Sequence, residues 1–235
     1  MKQILRQNKI FLGLCLIYII ILGVVLLLCP KADLHLWLNA HHTAAADWFF
    51  RNYSVIAEWG PYVVVLALLF YKVGWSLFLF VNIVVSGLVG QWLKYRFQAP
   101  RPLTYFEENF PDIQLPLVDG VEMHRYLSFP SGHAITFFVL FFTLCLIVTE
   151  YLANSKQRYP NGISTICQVV CFLLAVTGCY SRIYLSQHFA ADIWSGCIVG
   201  MAVSLLFCAL LPLISDKKWY KYHFFQKKSQ KNLVE

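Results

Sequence analysis

Two histidines, an aspartate and several fixed cations stand in three short polar stretches of an otherwise apolar chain. The first stretch runs from Lys94 through Arg96 to Arg101-Pro102, the second is Phe129-Pro130-Ser131-Gly132-His133, and the third contains Ser181-Arg182, His188 and Asp192. Their side-chain types suit a phosphate. Charge spread over non-bridging oxygens calls for fixed donors, and arginine offers a planar fork that binds two oxygens at once. Arg101 and Arg182 supply forks, and Lys94 supplies a point charge. Pro130-Ser131-Gly132 stands where an apolar run begins, so the free N–H groups and positive dipole end of a helix form an anion site there. Gly132 admits a close approach to the backbone, and Ser131 adds a hydroxyl.

His188 and Asp192 are four residues apart, which puts both on one face if the helix has already begun at His188. Asp192 then accepts a hydrogen bond from one imidazole nitrogen and leaves the other lone pair free to attack phosphorus. His133 is the matching general acid, returning as base toward the water that ends the cycle. Taken singly, each element has a plainer reading. A membrane-proximal Lys or Arg is most often a topology marker, Pro-Ser-Gly is common cap chemistry, and His-x3-Asp on a helix can be structural. Those readings do not account for all of them gathering on one side of a chain so poor in charge.

The elements that must position these residues are membrane helices. Of the 235 residues, 59% are hydrophobic and 13% charged, where a soluble globule carries roughly 25% charge. Several apolar runs approach the ~20 residues that cross a hydrocarbon layer. The expected fold is all-α, a bundle of six transmembrane helices over Ile10–Cys29, Ser54–Tyr71, Val73–Leu93, Ala134–Thr149, Ile163–Tyr180 and Ile193–Leu213. Glu58 and Pro61 place the first turn of the second span at the interface. The first run follows Lys2, Arg6 and Lys9 but lacks a small-x-small cleavage site, and the bulky Leu28 before Cys29 argues against lipoprotein processing, so it reads as an uncleaved anchor. Eight cysteines all fall in the spans without a Cys-x-x-Cys pair, as small packing residues.

Residues 1–235 read as a single domain, with a short cytoplasmic N-terminus (1–9) and a basic cytoplasmic C-terminal tail (214–235). In that orientation 12 of the 19 basic residues lie inside, as the positive-inside rule requires. All three polar stretches then reach the outer, periplasmic or extracellular interface. The basic tail is interleaved with Trp219, Tyr220, Tyr222, Phe224 and Phe225, which fits an anionic leaflet better than nucleic acid.

At these residues the sequence resembles the type-2 phosphatidic acid phosphatase superfamily, which also includes vanadium-dependent haloperoxidases and bacterial acid phosphatases. Its three signatures are present in order and spacing: Lys-x6-Arg-Pro as Lys94 to Arg101-Pro102, Pro-Ser-Gly-His as Pro130 to His133, and Ser-Arg-x5-His-x3-Asp as Ser181-Arg182, His188 and Asp192. The resemblance implies His188 as nucleophile oriented by Asp192, His133 as acid and base, and Lys94, Arg101, Ser131, Gly132 and Arg182 as the phosphate pocket. It implies no metal and no cofactor. The implied activity is hydrolysis of a phosphomonoester or diphosphate on a membrane lipid through a phosphohistidine, and the compactness of the chain points to a bacterial cytoplasmic (inner) membrane. Undecaprenyl diphosphate, phosphatidic acid, phosphatidylglycerol phosphate and lipid A are the candidate substrates.

The longest outer connection, Leu103–Phe129, reads either as the contributor to head-group selection or as only a cover, with Tyr105, Phe106, Phe110 and Leu115 placed to rest on the membrane surface. His41-His42 near Asp47 reads as a solvated loop pair rather than a metal site, and His35, His124 and His223 receive no functional role. Three rivals frame the assignment. A haloperoxidase would need vanadate, and that branch is soluble; a non-catalytic lipid-phosphate receptor or carrier would lose His188 or His133; a transporter would carry repeats and paired broken helices.

Overall fold

In a computed structural model, residues 2–155, 162–214 and 217 are described. Their helices are α1 (Lys2–Gln7), α2 (Lys9–Leu28), α3 (Lys31–Leu38), α4 (Ala44–Ser54), α5 (Ile56–Tyr71), α6 (Val73–Phe97), α7 (Pro102–Asn109), α8 (Gly132–Asn154), α9 (Ile163–Tyr184) and α10 (Ala190–Ile214). Five are long and apolar enough to cross a membrane alone, and a sixth span arises if α4 and α5, bent by 44° at Val55, count as one. The chain is a multi-pass membrane protein, with its spans in the expected order. Most of the basic tail (218–235), with Lys156 and Arg158, lies outside the described residues.

Burial decides which helix is the hub. In α8 67% of the most apolar window is buried, against 11% in α2, so α8 is the centre and α2 presents most of its surface to lipid. α8 packs on α9, α10, α6 and α5. Close approach depends on glycine. A Cβ at Gly196 of α10 would stand 2.7 Å from the Ser131 carbonyl oxygen, and one at Gly200 would stand 2.8 Å from that of Ile135. This Gly-x3-Gly row lets two backbones touch where side chains would hold them apart. Gly178 of α9 does the same beneath the Phe137 ring.

Several boundaries differ from expectation. α6 continues to Phe97, where Gln98 turns into the left-handed region (φ 46°) and donates its N–H to the Lys94 carbonyl, because Pro100 forbids a further turn. α9 continues to Tyr184, so Ser181 and Arg182 lie in its last turn and not in a connection. The stretches between α2 and α5 and between α6 and α8 also contain the short helices α3, α4 and α7. Ser54, expected inside the second span, ends α4 and donates its hydroxyl back to the Arg51 carbonyl, a bond that favours a bend.

All three polar stretches lie at one end of the bundle, joined by α3, α4 and α7. Exposed Trp37, Trp48, Trp59, Trp92 and Tyr95 are carried by α3 to α6. At the turn between α5 and α6, Lys72 and Trp75 both donate to Glu150 near the end of α8.

Candidate active site

The first two signatures are laid side by side by backbone pairing. Arg101 N–H donates to the Arg125 carbonyl at 2.8 Å, and Ser128 N–H donates to that of Ala99 at 3.0 Å. The start of α8 is in turn fixed to α10, because Ser131 N–H donates to the Asp192 carbonyl at 2.9 Å. Ser131 is the N-cap of α8, its Oγ accepting from Ala134 N–H. Its Oγ caps the helix with a lone pair and keeps its O–H free to donate, while the N–H groups of Gly132 and His133 keep no partner among the described residues. These are the orphan donors that a helix start offers an anion.

Three cations surround that helix start. Arg101 is 7% exposed and held from two sides, its Nε donating to the Tyr126 carbonyl and its Nη1 to Gln187 Oε1 at 2.8 Å. Arg182 is equally buried, and its Nε has no hydrogen-bond partner among the described residues. The Lys94 amine lies 3.9 Å from where a Cβ on Gly132 would project, so glycine keeps the space between amine and backbone open. Lys94, Arg101, Arg182 and His188 all lie close enough to His133 to act on it electrostatically. A buried guanidinium without a counter-ion is costly unless an anion completes it.

His188 is positioned by a tight return. Ser186 adopts the left-handed region (φ 50°), and the Arg182 carbonyl accepts from both Gln187 and His188 N–H. His188 therefore precedes the helix: α10 begins at Ala190, and Asp192 stands in its first turn. The expected one-face pairing along a helix is corrected accordingly. Asp192 instead reaches back, its Oδ2 accepting from Phe189 N–H at 2.9 Å and from Ser128 Oγ at 2.6 Å, with His188 Nδ1 at 3.4 Å. Carboxylate and imidazole are both buried. Burial pushes the His188 imidazole down to about 3 even though Asp192 pulls the other way, so at neutral pH the ring is uncharged. Nδ1 is the ring nitrogen that meets both Asp192 and Ser128.

Four residues of this region carried no role in the sequence reading. Ser128 and Gln187 brace Asp192 and Arg101 as described. Glu58, from the first turn of α5, places its Oε1 3.4 Å from His133 Nε2. His35 is 1% exposed, packed against the Phe106 and Phe189 rings, and burial pushes it down to about 4. A carboxylate inside an apolar span was the available signal for Glu58. The other three had none.

Further expectations are corrected here. Phe106 does not rest on the membrane: it is 1% exposed and buried with Ala32 and Phe189, and Tyr105 and Leu115 pack partly against that cluster. His42 is not a free loop residue, since its Nδ1 lies 2.9 Å from Asp47 and its ring stacks on Tyr184. The eight cysteines are unpaired, and five of them are buried packing residues.

A family model described as the PAP2 superfamily matches residues 75–215, more than half of the chain and all three polar stretches. The chain belongs to the PAP2 superfamily. This PAP2 protein is 28% identical over 180 residues to a lipid A 4′-phosphatase of Porphyromonas gingivalis, covering 74% of this chain and 69% of that protein. It is 25% identical over 152 residues to glucose-6-phosphatase 3 of Mus musculus, covering 60% of this chain and 42% of that one. Its fold is similar to the crystal structure of Aquifex aeolicus LpxE, with a TM-score of 0.59 at 19% identity over 76% of this chain and 94% of the other. Family and fold together make it a membrane lipid phosphatase.

Proposed function

We propose that this PAP2 enzyme removes a phosphate from a membrane lipid by two in-line steps at the interface end of the bundle. The observation that carries this reading is the uncharged His188, braced through Nδ1 by a buried Asp192 and close to a buried Arg182 whose Nε has no hydrogen-bond partner among the described residues. His188 Nε2 attacks phosphorus, the bond from phosphorus to the lipid oxygen breaks, and His133 donates a proton to that oxygen. Water, losing its proton to His133, then cleaves the phosphohistidine. Lys94, Arg101 and Arg182, with the N–H groups of Gly132 and His133, hold the phosphoryl oxygens through both steps.

The exposed tryptophans on α3 to α6 support a site at head-group depth, since Trp concentrates at membrane interfaces. A lipid would then present its phosphate without leaving the bilayer, its chains entering between helices. Positive-inside bias supports the outer face with both termini cytoplasmic, and the relative from Porphyromonas gingivalis supports a bacterial inner membrane as the location. Lipid A is the favoured substrate because the relative from Porphyromonas gingivalis bears that activity in its name; undecaprenyl diphosphate, phosphatidic acid and phosphatidylglycerol phosphate are the alternatives.

The test is phosphate release by detergent-purified protein from a panel of these four lipids, with EDTA present. Release from one class that survives EDTA and vanishes in His188→Ala, together with an acid-labile phosphoryl adduct on His188, is the expected result. Equal release by the variant overturns the assignment of His188.

A further inference from the structure

The buried arginines and Lys94 create a difficulty for His133, which must carry a proton in order to give it away. Positive charge faces it from α6 (Lys94), from the turn after α6 (Arg101) and from α9 (Arg182), with the His188 ring beyond. One carboxylate answers them. Glu58 Oε1 stands 3.4 Å from His133 Nε2, a nitrogen that is buried and without a hydrogen bond, while the Glu58 side chain itself remains 51% exposed. Glu58 also acts electrostatically on Arg182. The bend at Val55 aims it there, since Glu58 N–H and Trp59 N–H both return to the Val55 carbonyl as α5 starts in its new direction.

We infer that Glu58 is a positioning residue for the proton-transfer step, a reading that rests on the role of His133 proposed above. By taking Nε2–H, the carboxylate fixes the ring and leaves Nδ1 to carry the mobile proton. Its negative charge opposes the three cations, so that the ring keeps its proton to a higher pH than it would without the carboxylate. A carboxylate at this distance favours the charged form of an imidazole by one or more pH units. Because Glu58 is half exposed, the lower end of that range applies.

The test compares wild type, Glu58→Gln and Glu58→Asp in two measurements. One is the pH profile of kcat for phosphate release. The other is the pH dependence of diethyl pyrocarbonate modification at His133, read by mass spectrometry, which reports the neutral ring without needing turnover. Glu58→Gln is expected to move both the alkaline limb of kcat and the modification midpoint of His133 down by about one pH unit, with KM little changed and kcat lowered about tenfold at pH 8. Glu58→Asp recovers part of each shift. An unmoved His133 midpoint overturns the inference, whatever happens to activity, because a purely structural glutamate would leave that midpoint in place. A midpoint that moves in Glu58→Gln while the wild type releases no phosphate from any lipid supports the Glu58–His133 coupling and overturns the proposed reaction.

Discussion

Two histidine–carboxylate pairs face one pocket, and they are built in opposite ways. In the pair of His188 and Asp192 every group is buried, and the shared carboxylate oxygen also accepts from Ser128 and from Phe189 N–H. In the pair of His133 and Glu58 the carboxylate is half exposed and lies at 3.4 Å without a hydrogen bond. The contrast suits the two jobs proposed for the histidines. A nucleophile must hold a lone pair on one line of attack, which calls for a dry and fully satisfied brace. A proton carrier must be recharged in each half of the cycle, which calls for a partner in touch with water.

The sharpest way to break this comparison is to remove the braced pair. His188→Ala is expected to lower kcat by about 10³-fold or more, and Asp192→Ala to approach it, because residues acting as a unit fail together. Stopped or steady-state phosphate release checks this, and an Asp192→Ala enzyme weakened no more than Glu58→Gln would erase the distinction between the pairs.

A smaller loss is expected from Ser128→Ala. Its hydroxyl donates to a buried carboxylate, a bond of about 1.5–3 kcal/mol, so kcat should fall roughly 10- to 100-fold with KM nearly unchanged. A KM effect alone would place Ser128 on the substrate instead of behind Asp192.

Gly196→Ala tests the frame that both pairs share. The added Cβ would stand 2.7 Å from the Ser131 carbonyl oxygen, a backbone atom with little room to yield. Overpacking of this kind costs about 1–3 kcal/mol, so a lowered unfolding temperature in detergent is expected, with activity falling as the start of α8 leaves α10. Wild-type behaviour in both measurements would show that the contact relaxes freely.

The gentlest probe is acid. In the folded protein His188 takes a proton only near about 3 and His35 only near about 4, whereas in the unfolded chain each takes one near ~6.5. The unfolded state therefore binds more protons as pH falls below ~6.5, and stability contributed by these two buried neutral rings declines from there toward pH 4. The unfolding temperature should drop between pH 7 and pH 5, with a shallower slope in His35→Gln. An identical slope in the variant would remove His35 from the account.

Much of the catalytic region was legible because its signals are local. Hydropathy is a running average along the chain, so the spans emerge in order, and the spacing of Lys94 to Arg101, Pro130 to His133 and Ser181 to Asp192 identifies the family without reference to packing. The partnerships are a different matter. Ser128 meets Asp192 across 64 residues and Glu58 meets His133 across 75, distances over which no periodicity carries information. The bend at Val55, the left-handed turn at Ser186 and the closeness of α8 to Gly196 bring them together.

By itself, then, the sequence determined that this is an all-helical membrane protein of the PAP2 superfamily with three phosphate-suited motifs, because apolar length and motif spacing are properties of contiguous residues. Only the tertiary structure decided that His188 stands before its helix in a dry brace while His133 looks toward a half-exposed Glu58. Burial and contact depend on which helices pack together, and a linear chain does not carry that information at any single position.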